Sequence, residues 1–360
     1  MCACACHSLQ TMALMLAIAH EHGRIHKPRV FRDRTQPLDY MDDDELISRY
    51  RLPRECIMEL IELLLANDLQ RPSMRSNALP VSTQVLVAPR FYATGDVHGV
   101  SQSSVSRCVT AVSTSLSGKA SKYIHFPTDQ RTVIHDFHSI AGFPNVVGCV
   151  DGTHIPISAP HTNENTYVCR KGFHSINVQG ICDAKLRFLN VVAKYPGSSH
   201  DSFVWRNSAI YQFMTQQGSQ RQGWLLGDSG YPLSPFLMTP LTNPTTPAEV
   251  LYNRKHSQTR NTIERSFGLL KMRFRCLHRT GGCLQSPPST CAKIITACTV
   301  LHNICIDKSV PQPDDVDDED HHDGDGDHSH DTATAHNNDD SNNSGGRVRQ
   351  RLIERRFTCS

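Results

Sequence analysis

An aspartate set inside an apolar run is the feature that most narrows the folds open to this chain. In NVVGCVDGTHIPI, residues 145–157, Asp151 directly follows Val146, Val147, Cys149 and Val150. Such a run reads as a strand with core neighbours, and a carboxylate there is costly to bury unless something compensates its charge. The situation recurs at Asp228, which follows Trp224, Leu225 and Leu226. Both acids also stand in turn sequences, Asp151-Gly152 and Asp228-Ser229-Gly230, where an aspartate often only caps the next loop. The order of elements around them is what separates the two readings.

NVVGCVDGTHIPI, HSINVQGICDA and LRFLNVVAKYPG read as three consecutive strands, SHDSFVWRNSAIYQFMT as one helix, WLLGDSGYP as a fourth strand and TRNTIERSFGLLKMRFRCL as a long amphipathic helix. Strand, strand, strand, helix, strand, helix is the opening order of a ribonuclease-H-like α/β domain. On it, Asp151 falls midway along the first strand, Asp201 at the start of the first helix, Asp228 at the end of the fourth strand and Glu264 inside the late helix. If the strands of Asp151 and Asp228 are adjacent and parallel, both carboxylates emerge near one edge, within reach of Glu264. Like charges so gathered are stable around divalent cations, and hard oxygen ligands select Mg²⁺ or Mn²⁺. Two such ions are the machinery of phosphodiester displacement. Of the other candidates, Arg170 and Lys171 precede the second strand as a possible phosphate contact. His154 and His200 neighbour the acids but read as hydrogen-bonded structural residues. Cys291, Cys298, His302 and Cys305 recur at helical spacing and read as one buried face.

The remainder divides into five regions: a poorly structured 1–40, a helical 41–140, the α/β domain 141–308, a disordered Asp/His-rich tail 309–346 and a basic segment 347–360. Leu46, Ile57, Leu60, Ile61, Leu64 and Leu65, interrupted by Pro53, predict two helices. GVSQSSVSRCVTAVSTSLS, residues 99–117, resembles the turn and second helix of a helix-turn-helix, with Ser101 as N-cap and Val105, Cys108 and Val112 facing inward. Pro89 lies inside the preceding helix. Residues 314–340 hold twelve acids and no Lys or Arg, leaving 37 basic against 23 acidic residues elsewhere, a formal +14. That balance makes a polyanion a plausible partner. The five arginines of Arg347 to Arg356 read either as a solvated tail or as an aid to nuclear entry or phosphate contact. Cys2, Cys4, Cys6 and His7 lack the paired spacing of a zinc finger, and the scattered cysteines predict a reduced, intracellular protein. Met12 to Ala19 is too short to span a bilayer and has no signal-peptide flanks, so no membrane association is expected.

VVGCVDGTHIPI, the YVCRKGFHSINVQG run (residues 167–180), YPGSSHDSFVW, LLGDSGYPL and RNTIERSFGLLKMRF together resemble the core of PIF/Harbinger transposases, from about Asp42 to Cys305. The resemblance implies a DDE-class catalytic domain, a divalent metal cofactor and DNA as substrate. It implies Asp151, Asp201, Asp228 and Glu264 as catalytic or metal-binding acids, with Asp201 and Asp228 both candidates for the second catalytic acid. Arg260, Glu264 and Lys271 match the arginine, glutamate and lysine spacing around the catalytic glutamate of related bacterial transposases, although Ser257 stands where a tyrosine is expected. Arg170, Lys171, Arg260 and Lys271 are thus the expected DNA contacts. A separate Myb/SANT-like partner, a nuclear location with some cytoplasmic presence and an open oligomeric state, a homo-oligomer included, are also implied. Fewer residues stand between Gly95 and His98 than in the family, and Pro89 is unusual. A catalytically silent, domesticated DNA-binding or adaptor protein is therefore the alternative, and a zinc-stabilised interaction module a third.

Overall fold

The computed structural model describes residues 37–69, 79–95, 97, 99–216, 223–313 and 344–358. Cys2, Cys4, Cys6, His7, the Met12 to Ala19 stretch and the acidic residues 314–343 lie outside them. Contacts divide the chain into Met1–Met41 and Asp42–Ser360. In the first unit the described residues form one helical turn, α1 (Pro37–Tyr40).

The second unit opens with helices whose ends follow their sequences. Asp42 accepts from the Glu45 amide and Glu45 from the Asp42 amide, a capping box that starts α2 (Asp43–Tyr50). Arg51 in the left-handed region and Pro53 separate it from α3 (Arg54–Asp68). Helix α4 (Val81–Thr94) runs through Pro89 and stops at Gly95, whose φ of 79° suits a residue without a Cβ. Helix α5 (Gln102–Gly118) buries Val105, Cys108 and Val112 and leaves Gln102, Ser103 and Arg107 exposed. Ser101 precedes it with extended backbone, but its hydroxyl donates to Ser104 Oγ rather than capping an amide. The connection from α4 to α5 closes despite its brevity, and Tyr92 of α4 meets Ser113 of α5 at 2.6 Å in the interior. Two further helices, α6 (Ala120–Tyr123) and α7 (Arg131–Ala141), lead into the sheet.

The sheet has the order β3-β2-β1-β4-β5. Strands β1 (Val146–Pro156), β2 (Ser175–Cys182) and β3 (Phe188–Pro196) form an antiparallel meander. Then β4 (Trp224–Leu226) and β5 (Leu237–Met238) add in parallel on the other side of β1. The fold is α/β with a mixed sheet. Three details differ from the sequence reading. Residues 199–215 form two helices, α8 (Asp201–Arg206) and α9 (Ala209–Gln216), because the Asn207 and Ser208 side chains bond back to the Phe203 and Trp205 carbonyls and end the first helix. Strand β4 ends at Leu226, so Asp228 lies in the following loop. Strand β5 has only two residues, too few to show a period.

Both faces of the sheet are covered. Val150, Ile181 and Leu189 pack with Trp205, Ile210 and Met214 from α8 and α9. Cys149 and Gly180 face the opposite side, under α10 (Pro247–Arg273), which Thr246 and Glu249 start with a second capping box. Helix α11 (Pro288–Asp307) lies beside it. Its length and mean hydropathy of 1.3 would suit a membrane span, yet 67% of that window is buried within the fold. Cys291, Cys298, His302 and Cys305 lie along its buried face, and the His302 ring donates to the Leu186 carbonyl. The basic segment is not a solvated tail: α12 (Ser344–Arg356) starts before the boundary expected at residue 346 and buries Leu352 and Ile353. Its apolar residues recur at helical spacing, which composition alone conceals.

Asn303 ties α11 to the outer strand. Its Oδ1 accepts from the Phe188 amide at 2.9 Å, and its Nδ2 donates to the carbonyls of Phe188 at 2.7 Å and Tyr123 at 2.9 Å. The side chain thus supplies the bonds that another strand would have made. Asn303→Ala leaves the Phe188 amide and carbonyl short of a buried partner, at about 1–3 kcal/mol for each that water cannot reach, while the Tyr123 carbonyl keeps Arg187 Nη2 at 3.0 Å. Urea unfolding should show the midpoint falling accordingly; an unchanged midpoint would mean that the strand edge does not depend on this side chain.

Candidate active site

The parallel pairing of β1 with β4 runs from Val146 opposite Trp224 to Cys149 opposite Leu226. Beyond it β4 has ended while β1 continues through Asp151, which still pairs with Gly180 of β2. Asp151 therefore stands where one neighbouring strand has been replaced by the Asp228 loop. Neighbours along a strand face opposite ways, so Asp151 points toward α10 and Gly152 toward α8. A Cβ on Gly152 would lie 2.5 Å from Asp201 Oδ1. The absence of a side chain at this position lets the Asp201 carboxylate lie against the strand.

Each acid has defined partners. Asp151 Oδ1 accepts from the Gly152 amide at 2.8 Å, and Oδ2 accepts from Arg260 Nη1 at 2.6 Å. Arg260 Nη2 donates to Glu264, one turn along α10. The guanidinium thus bridges a largely buried Asp151 and a Glu264 that is 45% exposed. Asp201 Oδ1 accepts from Asn177 Nδ2 at 2.9 Å, and the same amide donates to the Ser199 carbonyl at 2.8 Å. Asp228 Oδ1 accepts from the Gly230 amide at 3.0 Å, an Asx-type turn.

The electrostatics bind these groups into one site. Burial pushes Asp151 up to about 7; Arg260 pulls it back, while the charges of Asp228 and Asp201 add to the rise. Burial likewise raises Asp201, with Asn177 opposing, Asp228 adding and Arg170 again lowering it. Tyr231, three residues beyond Asp228, feels Asp201, Asp151, Asp228 and Arg260 together, and burial raises its phenol. Its hydroxyl makes no hydrogen bond among the described residues.

Asp151, Asp201 and Asp228 thus act on one another, Glu264 joins them through Arg260, and the charge of Arg170 acts on Asp201. Lys171 sits exposed on the same tight turn as Arg170, which the Gly172 amide closes on the Cys169 carbonyl. Lys271 lies seven residues past Glu264, roughly 10 Å along α10. His154 bonds Ser175 at 3.0 Å, and His200 immediately precedes α8. The sequence reading missed Asn177 and Tyr231. The former was detectable as an amide beside Ile176 and Val178 in β2, the latter only through the fold.

Among the described residues no three His, Cys, Asp or Glu side chains are placed as they stand to hold a metal ion; the cation joining Asp151 to Glu264 is Arg260. The donor set nonetheless suits a hard divalent ion. It consists of oxygens only, and both the burial that chiefly raises Asp151 and the repulsion from Asp228 and Asp201 that adds to it are what such a charge would offset.

A carboxyl whose pKa folding raises opposes folding once it must ionise. For Asp151 that opposition is absent below the unfolded value near pH 4 and complete above about pH 7. Without divalent metal, stability from this group should fall across that window, and Asp151→Asn should flatten the fall. Urea midpoints measured from pH 4 to 8 check this; parallel profiles for the two proteins would show that Asp151 carries no such burden.

Residues 150–303 match the DDE superfamily endonuclease family. Proteins named "Putative nuclease HARBI1" from Bos taurus and Homo sapiens are each 43% identical over 281 residues, 75% of this chain and 80% of theirs. "Protein ALP1-like" from Arabidopsis thaliana is 28% identical over 296 residues, 74% of this chain and 72% of its own. No solved structure matches. The matched segment contains Asp151, Asp201, Asp228 and Glu264 and the strands and helices that carry them. With so much of the mammalian proteins covered at this identity, the chain belongs to the PIF/Harbinger transposase family.

Proposed function

We propose that this chain is a divalent-metal-dependent endonuclease that breaks phosphodiester bonds in DNA, with Asp151, Asp228 and Glu264 as its acids and Asp201 as an additional ligand. The observation that supports the reading most is the parallel adjacency of β1 and β4, which brings Asp151 and the Asp228 loop to one edge of the sheet beneath α10. Three antiparallel strands followed by parallel additions beside the first is also the arrangement of a ribonuclease-H-like domain. Divalent cations held by these carboxylates would supply activation of the attacking oxygen and charge stabilisation of the leaving one. The chain supplies the rest. Asn177 fixes one oxygen of Asp201, so the other is presented in a set direction; the Gly152 amide fixes one oxygen of Asp151, and its other oxygen is held by Arg260, which a metal ion would have to displace there. Arg260 and Arg170 place positive charge beside the acids, where an entering phosphate needs it. Lys171 and Lys271 extend that charge outward along the DNA backbone. Recognition of the DNA sequence through a Myb/SANT-like partner and a nuclear location belong to the same reading. A silent DNA-binding or adaptor protein is the competing one, and turnover separates them.

Supercoiled plasmid and terminal-repeat DNA should be nicked in Mg²⁺ or Mn²⁺, with and without the partner. Asp151→Ala should abolish nicking in a protein that still unfolds cooperatively, and Ca²⁺ should support DNA binding but not turnover. Equal nicking by Asp151→Ala, or undiminished nicking in Ca²⁺, would overturn the reading.

Asp228 and Asp201 should differ. The Asp228 loop adjoins Asp151 across the ends of β1 and β4, whereas Asp201 lies over Gly152 on the opposite face. Asp228→Asn should be inactive at any metal concentration, and Asp201→Asn should regain part of its activity at high Mn²⁺. The reverse pattern would make Asp201 the second catalytic acid.

A further inference from the structure

Helix α12 is the part of the fold that the carboxylate centre leaves unused, and it is firmly seated. Arg349 is buried, and its Nη1 donates to the carbonyls of Thr239 and Pro240 at 3.3 Å each. Just past the helix, Phe357 packs against Phe143 and Tyr252 with ring centroids 5.5 Å apart in both pairs. At the other end a Cβ on Gly345 would stand 2.8 Å from Ser234 Cα, six residues past Asp228. The helix thus starts against the loop that carries one of the candidate acids.

The face turned away from these contacts carries Arg347, Arg351 and Arg355 at intervals of four, a spacing that aligns them in one row. All three are exposed, and among the described residues none is ion-paired; Glu354, the one acid of the helix, accepts instead from Gln350. Like charges at this spacing repel one another. The described residues therefore hold in place a row of cations that they do not neutralise.

We propose that the outward face of α12 binds the phosphate backbone of duplex DNA, continuing the DNA path away from the carboxylate centre. From Arg347 to Arg355 the row spans about 12 Å, the reach of two or three successive phosphates of one strand. Arginine also offers the paired donors that phosphate oxygens accept. The face lacks the apolar anchor that a protein interface places at its centre, since none of the exposed large hydrophobic residues lies on α12. The proposal rests on the nuclease reading for its choice of DNA as the polyanion, but binding is measured independently of cleavage.

The test compares the full chain with its Arg347→Gln/Arg351→Gln/Arg355→Gln variant on a fluorescent duplex oligonucleotide in EDTA, over a range of salt. The plot of log affinity against log salt should lose about 2.7 from its slope, roughly 0.9 per lost phosphate contact. The thermal midpoint should not fall, and the corresponding triple lysine variant should restore most of the slope. An unchanged slope, or no duplex binding by the unaltered chain, overturns the proposal. So does loss of polyglutamate binding, or of nuclear accumulation, while the DNA slope stays intact, since the occupant is then an acidic protein or an import receptor. If no protein nicks DNA and the glutamine variant still loses slope, the nuclease reading falls and this surface stands. If nicking is intact and the slope does not move, the surface alone falls.

Discussion

The pairing of Asp151 with Arg260 is the interaction on which the centre depends. Asp151 lies within a covered sheet, and burial alone drives its carboxyl toward neutrality. Arg260 opposes that drift from α10, and by bonding Glu264 as well it fixes the distance between strand and helix at the point where the chemistry would occur. Breaking a buried pair from one side leaves an uncompensated charge, so the two residues hold each other in place. A metal ion entering this site would replace part of what the guanidinium does, which ties metal binding to the position of one side chain.

The opposite face of the sheet solves a related problem differently. Asp201 feels the charge of Arg170 but is positioned otherwise: it lies against Gly152 and accepts from an Asn177 amide that also bonds the backbone before α8. One strand position that carries no side chain and one buried amide set the height of this carboxylate above the sheet. The two acids are thus held from opposite faces of β1, and the charge of Asp228, in the loop where β4 has run out, acts on both.

Much of this arrangement was legible in the sequence. The meander of β1 to β3 announced itself through apolar runs bounded by turn residues, and Asp151 stood out because an acid within such a run needs an explanation. The parallel placement of β4 beside β1 entered the sequence reading only as a condition, and the structure has it. The helix break at Asn207-Ser208 was hidden because the flanking residues keep a helical pattern, while only their side-chain bonds back to the helix reveal the stop. Strand β5 was hidden for a simpler reason: two residues carry no periodicity. Asn177 was hidden by the same habit that exposed Asp151. A charge in a strand draws the eye, whereas an amide in a strand passes as ordinary, although it carries the same need for partners once buried.

The C-terminal segment shows how composition can mislead. Counting arginines in Arg347 to Arg356 suggests a solvated tail, because five cations over ten residues leave little to bury. Position changes the answer. Leu352, Ile353 and Phe357 recur on one helical face, and Arg349, on that same face, reaches backbone carbonyls rather than water. A single arginine bonded inward converts what would have been an apolar face interrupted by charge into a continuous docking face. Arg347, Arg351 and Arg355 are then displayed by default on the other side. Here the seated face and the charged face are consequences of one periodicity, and a segment that looks uniformly basic by count is amphipathic by geometry.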